Sequence, residues 1–320
     1  MIARRHFVRL LATTAALWGV GARAQAGAEP LKELRIGYQK AAINLVLIKQ
    51  QGILEKRFPQ ARVQWVEFPA GPQLLEALSA GSLEFGLTGD SPPVFAQAAG
   101  KDLFYVGAEP PKPDSSAIVV LPDSPLRRLP DLKGKRVALQ KGSSAHYLLV
   151  RAVEKAGLQW ADIQPVYLAP ADARAAFERR SVDAWAIWDP FYAAVELALK
   201  PRVLATGRDL SSNNSFYLAS RAFTTQHPKV LATLFEELTR ADRLVQEDRP
   251  AAIKLVAGFS GLDAGVVSLF IQRRPKSPVG PLTAAITADQ QRVADAFHQL
   301  GLIPKRIQVA DIVWRPDGNK

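Results

Sequence analysis

The chain has 320 residues, 48% hydrophobic and 22% charged, which suits one large or two medium globular domains with cores of their own. It has no cysteine, which excludes disulfides, thiolate metal sites and cysteine nucleophiles, and its four histidines (His6, His146, His227, His298) show no metal-ligand spacing. The formal charge is +11, but Arg4, Arg5, Arg9 and Arg23 fall in the first 26 residues, which carry no acid; the remainder has 37 basic against 30 acidic side chains, or +7, mixed along the chain rather than gathered into a nucleic-acid stripe.

In chain order, "MIARRHFVRLLATTAALWGVGARAQA" comes first, with a basic start, an apolar run from Leu10 to Val20 and small-x-small sites at Ala22–Ala24 and Ala24–Ala26. The run is too short to span a bilayer, so residues 1–26 read as a cleaved export signal, with a periplasmic destination. Arg4-Arg5 followed by Phe7 resembles a twin-arginine signal.

"LRIGYQKAAINLVLIKQQGIL" then reads as a strand, a turn after Gln39-Lys40, and a helix ended by Gly52. "VEFPAGPQLLEALSAGSLEFGLTGDSPP" continues with strand, helix and strand, and Asp90 stands before Ser91, Pro92 and Pro93 at a helix start. "EPPKPDSSAIVV" (109–120) has the composition of a crossing between lobes.

The plan then repeats. "KRVALQKGSSAHYLLVRAVEKAGL" carries Gln140-Lys141, the turn Gly142-Ser143-Ser144 and a helix stopped by Gly157. "VYLAPADARAAFERRSVDAWAIWDP" matches the second segment of the first half: Ser82, Glu84, Asp90 and Pro92 stand against Ser181, Asp183, Asp189 and Pro190. Strand–helix units repeating about a hundred residues apart predict two α/β lobes, each with a mainly parallel sheet, and ligands in such sheets lie beyond the carboxyl ends of the strands. "GRDLSSNNSFYLASR" (207–221) reads as the return crossing. These signals place lobe one at 30–116 and 217–320 and lobe two at 117–216. The last hundred residues are helical and complete lobe one, with Pro228 at N1 of one helix and Thr287 as the expected N-cap of another that stops at Gly301.

The segments "RIGYQKAAINLVLIK", "EFPAGPQLLEALSAGSLEFGLTGDSPPVFAQAAG", "EPPKP", "DLKGKRVALQKGSSAHYLLVRA", "PADARAAF" and "VDAWAIWDPFYA" resemble, in the same order, the aliphatic sulfonate-binding proteins of bacterial ABC importers. The resemblance runs from about Leu34 to Trp314. It implies a two-lobed, type II periplasmic-binding-protein fold, a hinge, a sulfonate site between the lobes, and delivery to a membrane permease, with no catalysis and no cofactor. A monomer is the default for such a shuttle. The broader superfamily also contains binders of taurine, nitrate and thiamine precursors, and these stay open as alternative ligands. Its thiamine-pyrimidine synthases carry a cysteine-rich motif that this chain lacks. The turn after Gln39-Lys40, often Gly/Ser-rich in the family, is Ala41-Ala42-Ile43-Asn44 here.

A sulfonate stays ionised at biological pH, so its receptor needs N–H and O–H donors around three oxygens and no proton matched to the ligand. Uncapped helix starts supply such donors with a favourable dipole. Ser143, Ser144 and His146 are therefore the expected contacts from lobe two, although either serine could simply cap its own helix. Gln39 and Asn44 are the opposing candidates, and Gly89, Asp90 and Ser91 could contribute backbone N–H groups because Gly89 permits close approach. For the Asp90 and Asp189 side chains, N-capping is the preferred reading over acid–base chemistry. Trp185 and Trp188, three apart in a strand, face opposite sides; Trp188 is expected to wall the ligand's tail, with Phe216 or Tyr217 as further wall candidates and Arg174 as a distant one. Glu109 or Asp90 could meet an ammonium if the ligand were taurine.

Overall fold

β1 (Glu33–Tyr38) sets the pattern, with Leu34, Ile36 and Tyr38 buried at alternate positions. The computed structural model describes residues 30–275 and 279–315, so the export-signal expectation for residues 1–26 lies outside the described residues. After β1 come α1 (Ile43–Gln50), α2 (Ile53–Arg57), β2 (Arg62–Glu67), α3 (Gly71–Ser79), β3 (Phe85–Gly89), α4 (Ser91–Ala98) and β4 (Leu103–Glu109). The chain then crosses to β5 (Ser116–Val120), β6 (Arg136–Leu139), α5 (Ser144–Lys155), β7 (Gln164–Tyr167), α6 (Pro170–Glu178), β8 (Ala184–Trp188), α7 (Phe191–Leu199) and β9 (Arg202–Thr206). It returns as β10 (Ser215–Ser220) and closes with α8 (Arg221–Gln226), α9 (Pro228–Glu247), α10 (Arg249–Ser260), α11 (Ala264–Gln272) and α12 (Ala284–Gln299).

Two five-stranded sheets result, ordered β2-β1-β3-β10-β4 and β7-β6-β8-β5-β9. β1 pairs in parallel with β2 and β3, and β10 runs antiparallel to β3 and β4, so β10 alone is reversed in its sheet. In the second sheet β5 is the reversed strand, antiparallel to β8 and β9. The sheets are thus mainly parallel in strand direction, and the exception has one cause. β5 and β10 are the strands that enter from the other sheet, with no helical crossover to bring them in parallel. The repeat shows in a matched pair of anchors: Glu84 accepts the backbone N–H of Arg35 at 2.6 Å, and Asp183 accepts that of Arg136 at 2.8 Å.

Both faces of β5 are covered, Ile118 and Val120 packing in one cluster and Ala117 and Val119 in another. The first sheet is packed around Phe85, Tyr105, Phe216 and Tyr217, all fully buried. Phe216 and Tyr217 are therefore core residues, not walls of a ligand site. α9 buries the 3.6-residue stripe Leu231, Leu234, Leu238, Ala241 and Val245, and begins at Pro228 as expected. Thr287 is not the N-cap of α12. That role belongs to Thr283, whose hydroxyl accepts the Ile286 N–H at 3.2 Å, while Thr287 sits a turn inside and donates to the Thr283 carbonyl. The C-terminal helices also do more than complete the first lobe, because α11 packs on α7 and α12 touches α5 of the second.

The two crossings run side by side. Lys112 N–H donates to the Ser212 carbonyl and Gly207 N–H to the Pro113 carbonyl, each at 2.9 Å. A Cβ on Gly207 would lie 2.6 Å from that same carbonyl oxygen, so only glycine lets the strands touch there.

Candidate functional site

A narrow cavity of about 60 Å³ lies between the two sheets. Since a water needs roughly 10–15 Å³, it has room for about four to six water-sized groups. The second sheet supplies Ser143 and Ser144 at the start of α5, and Trp188 and Asp189 at the end of β8. The first sheet supplies Gln39, Ala41 and Ala42 after β1, Leu87–Gly89 of β3, and the α3 and α4 starts at Gly71 and Pro92. Lys112 and Ser115 come from the first crossing, Asn213 and Ser215 from the return, Phe270 and Arg274 from α11 and its end.

No side chain caps α5. The Ser143 hydroxyl donates to the Gln140 carbonyl at 2.8 Å, and among the described residues the Ser144 and Ala145 N–H groups have no hydrogen-bond acceptor. The opposing helix α1 also begins without a side-chain cap, at Ala42. The cavity thus meets uncapped helix starts from both halves of the repeat, where the partial positive charge of the dipole is concentrated.

Beneath one wall lies a buried ion cluster. Lys112 Nζ is 2.6 Å from Glu109 Oε2 and donates to Ser215 Oγ at 2.8 Å. Arg274 reaches both Glu109 oxygens at 3.3 Å, and the Tyr217 hydroxyl donates to Glu109 Oε1 at 3.0 Å. Burial alone would raise the Glu109 carboxyl, but the Arg274 and Lys112 charges outweigh it and hold the group at about 2. Glu109 is therefore saturated by protein partners and does not line the cavity, which removes it as a site for a ligand ammonium.

Of the residues singled out from the sequence, Gln39, Gly89, Ser143, Ser144 and Trp188 line the cavity. Trp185 is fully buried on the other face of β8, as strand alternation requires. Gln39 also donates its Nε2 to the Leu87 carbonyl at 3.2 Å. Asn44, Asp90, Ser91 and His146 do not line it. Asn44 is fully buried in the second position of α1, beside Tyr217 and Asp242, because the helix turns that position to the core. His146 is fully buried among Phe95, Trp160, Tyr167 and Phe297, and its Nδ1 accepts the Gly142 N–H at 3.2 Å. Burial, aided by the Lys141 charge, lowers its pKa to about 4, so it is a neutral acceptor behind the serine turn. Arg174 pairs with Glu178 at 2.8 Å on the outer surface of α6.

The two aspartates differ. Asp90 gives α4 no capping bond; its carboxylate accepts the Ser91 hydroxyl at 2.9 Å, and burial raises it to about 6. Asp189 does behave as a cap, Oδ1 accepting the Ala193 N–H at 3.0 Å in the first turn of α7. Lys112, Arg274, Asn213, Ser215 and Phe270 were not legible as site residues. Lys112 carried a faint signal, as the lysine of a proline-rich crossing, whereas Arg274 carried none.

Three comparisons bear on this geometry. The NMT1/THI5-like family matches residues 63–248. The chain is 47% identical to an aliphatic sulfonates-binding protein of Escherichia coli (strain K12) over 98% of this chain and 97% of that one. Its structure is similar to the crystal structure of the periplasmic aliphatic sulphonate binding protein SsuA from Escherichia coli, with a TM-score of 0.82 and 49% identity over 89% of this chain and 92% of the other. It is also similar to the alkanesulfonate-binding protein SsuA from Xanthomonas axonopodis pv. citri, solved with MOPS bound, with a TM-score of 0.85 and 52% identity over 88% and 98%. With this sequence likeness along nearly its whole length and the same two-sheet architecture, the chain belongs to the NMT1/THI5-like family and, within it, to the aliphatic sulfonate-binding proteins.

Proposed function

We propose that this protein is an extracytoplasmic receptor that captures aliphatic sulfonates between its lobes and delivers them, unchanged, to an ABC-type permease. The observation that carries this reading is the uncapped start of α5, with Ser143 and Ser144, opening onto a cavity that Lys112 and Arg274 also reach. Three sulfonate oxygens are satisfied by several donors spread over one face, and such donors can be left empty without stranding a free ion. Gln39, Gly89, Asn213 and Ser215 complete the polar wall, and Trp188, Phe270 and Leu87 meet the tail. A ligand gripped from both lobes binds the closed form better than the open one and shifts the population toward it. The side-by-side crossings near Pro113 and Gly207 act as the hinge. An affinity near micromolar, about −8 kcal/mol, is sufficient for capture and permits release. No catalytic step on the ligand is assigned to Asp90 or Asp189; each accepts a hydrogen bond from its own helix start.

The site sees a periplasmic ligand pool in this reading, and among the described residues no helix is long and apolar enough to cross a membrane. The test is calorimetry on the mature protein with methanesulfonate, longer alkanesulfonates, taurine, sulfate and nitrate. Heat from the alkanesulfonates supports the proposal; heat from nitrate alone overturns it.

A further inference from the structure

Asp189, a residue of the cavity wall, has one polar atom without a role in anion capture. Asp189 lines the cavity and is 5% exposed. Its Oδ1 takes the Ala193 N–H at 3.0 Å and Arg273 Nη1 at 2.9 Å, while Oδ2 is buried with no partner among the described residues. With a sulfonate in this cavity of about 60 Å³, an ionised Asp189 in its wall would set two negative charges close together with little water between them to screen the repulsion. Two like charges so placed do not both stay ionised, and the sulfonate cannot take a proton. The carboxyl must.

Resting on the sulfonate reading of this cavity, we propose that Asp189 is a specificity-determining residue that binds a proton together with the sulfonate, its Oδ2–H then donating a hydrogen bond to a sulfonate oxygen. The balance is simple: one solvent proton adds to Oδ2, one O–H bond forms, and nothing is released from the ligand. Sulfonate capture is then linked to proton uptake and weakens as the pH rises.

The surroundings favour this. Burial already raises the Asp189 carboxyl to about 7, Arg273 opposing it only in part and Glu196 adding to it. The groups facing it are Arg273 at the end of α11, Glu196 and Tyr192 on α7, and Asp114 beyond Tyr192 on the first crossing; Lys112 and Arg274 share the cavity wall. Lys112 and Arg274 are both engaged by Glu109, and Arg273 is shared between Asp189 and Glu196, so none is a free counter-charge for Oδ2. A proton supplies what these cations do not.

The test uses methanesulfonate, which brings no donor of its own, titrated calorimetrically at pH 7 into the mature protein in buffers of different ionisation enthalpy. The expected result is uptake of about half a proton per ligand at pH 7, with affinity level below pH 6 and falling up to tenfold per unit above pH 7. Asp189→Asn keeps the Oδ1 acceptor and presents an N–H in place of the protonated oxygen, so its affinity should be independent of pH and its proton uptake zero. Binding by the wild-type protein with no proton exchange overturns the inference but leaves the sulfonate receptor standing. Uptake that persists in Asp189→Asn overturns it too, since the proton then goes elsewhere. Failure of the wild-type protein to bind any sulfonate overturns the receptor reading itself, and this inference with it. The wild-type measurement decides even if the variant does not fold.

Discussion

Gly89 and Ser144 meet across the cleft so closely that a Cβ on Gly89 would lie 2.0 Å from the Ser144 hydroxyl oxygen and 3.3 Å from its Cβ. The end of β3 in one lobe and the start of α5 in the other are in contact at this point, and both line the cavity. The sequence offered glycine there as a point of close approach to a ligand. The tertiary structure shows the nearer neighbour to be a serine of the opposite lobe.

Replacement of Gly89 by alanine should therefore act on the binding step. The Ser144 side chain must rotate or the lobes must stand slightly apart, and affinity for methanesulfonate should fall at least tenfold, about 1.4 kcal/mol. An unliganded form whose lobes stand apart escapes this clash, so the melting temperature of the unliganded protein should change little. Adding Ser144→Gly removes the obstructing atoms, so the double variant should show a coupling energy opposite in sign to the single losses. Strict additivity in calorimetric affinities would mean that the two residues do not meet during binding.

The two tryptophans of β8 should separate stability from ligand selection. Trp185 is fully buried against Phe177, and Trp185→Ala should cost about 3–5 kcal/mol in denaturant unfolding. Trp188 lines the cavity with its ring perpendicular to that of Phe191, and Trp188→Ala should cost much less stability. Its effect should appear in the dependence of affinity on tail length. A well-covered methylene contributes about 0.8 kcal/mol, and this increment should shrink in Trp188→Ala while methanesulfonate binds nearly as before. Equal increments in both proteins would place the tail elsewhere.

Acid stability should bear the mark of His146. Its folded-state pKa is lowered, from 6.5 to about 4, so the folded protein holds fewer protons than the unfolded chain between those values. The resulting stabilisation is complete above pH 6.5 and is lost as the pH falls toward 4, about 3 kcal/mol in all. His146→Gln retains an acceptor for the Gly142 N–H but has no such titration. The slope of unfolding free energy against pH between 6.5 and 4 should be shallower in the variant by that amount. Below pH 4.5 both proteins should then lose the Glu109 contribution alike, since its carboxyl is held at about 2. Parallel curves from pH 6.5 to 4 would show that His146 is less enclosed than its aromatic neighbours imply.

Much of the architecture was legible from periodicity and repetition. Gln39-Lys40 and Gln140-Lys141 mark equivalent strand ends, and Glu84 and Asp183 mark equivalent anchors, because a duplicated unit keeps the local hydrogen bonds that define it. The crossings were readable as Pro-, Ser- and Asn-rich interruptions, and the face of Trp188 followed from strand alternation. Asn44 and His146 were harder. Each follows a turn that does line the cavity, but helical rotation of about 100° per residue carries the side chains at those positions into the protein. The reversed strands β5 and β10 escaped notice, since strand direction leaves no trace in side-chain alternation.

The sequence by itself determined the two-lobed α/β plan, the positions of the helix starts after Gln39-Lys40 and Gln140-Lys141, and the family, all of which depend on residues near one another in the chain or on its internal repeat. Only the tertiary structure decided which charges stand at the cavity. Glu109, Lys112, Tyr217, Asp242 and Arg274 form one cluster although they span more than half the chain from first to last. Likewise Asp189 meets Arg273 only because α11 packs on α7. Coulomb and desolvation energies depend on distance and burial in space, and neither is encoded in local spacing.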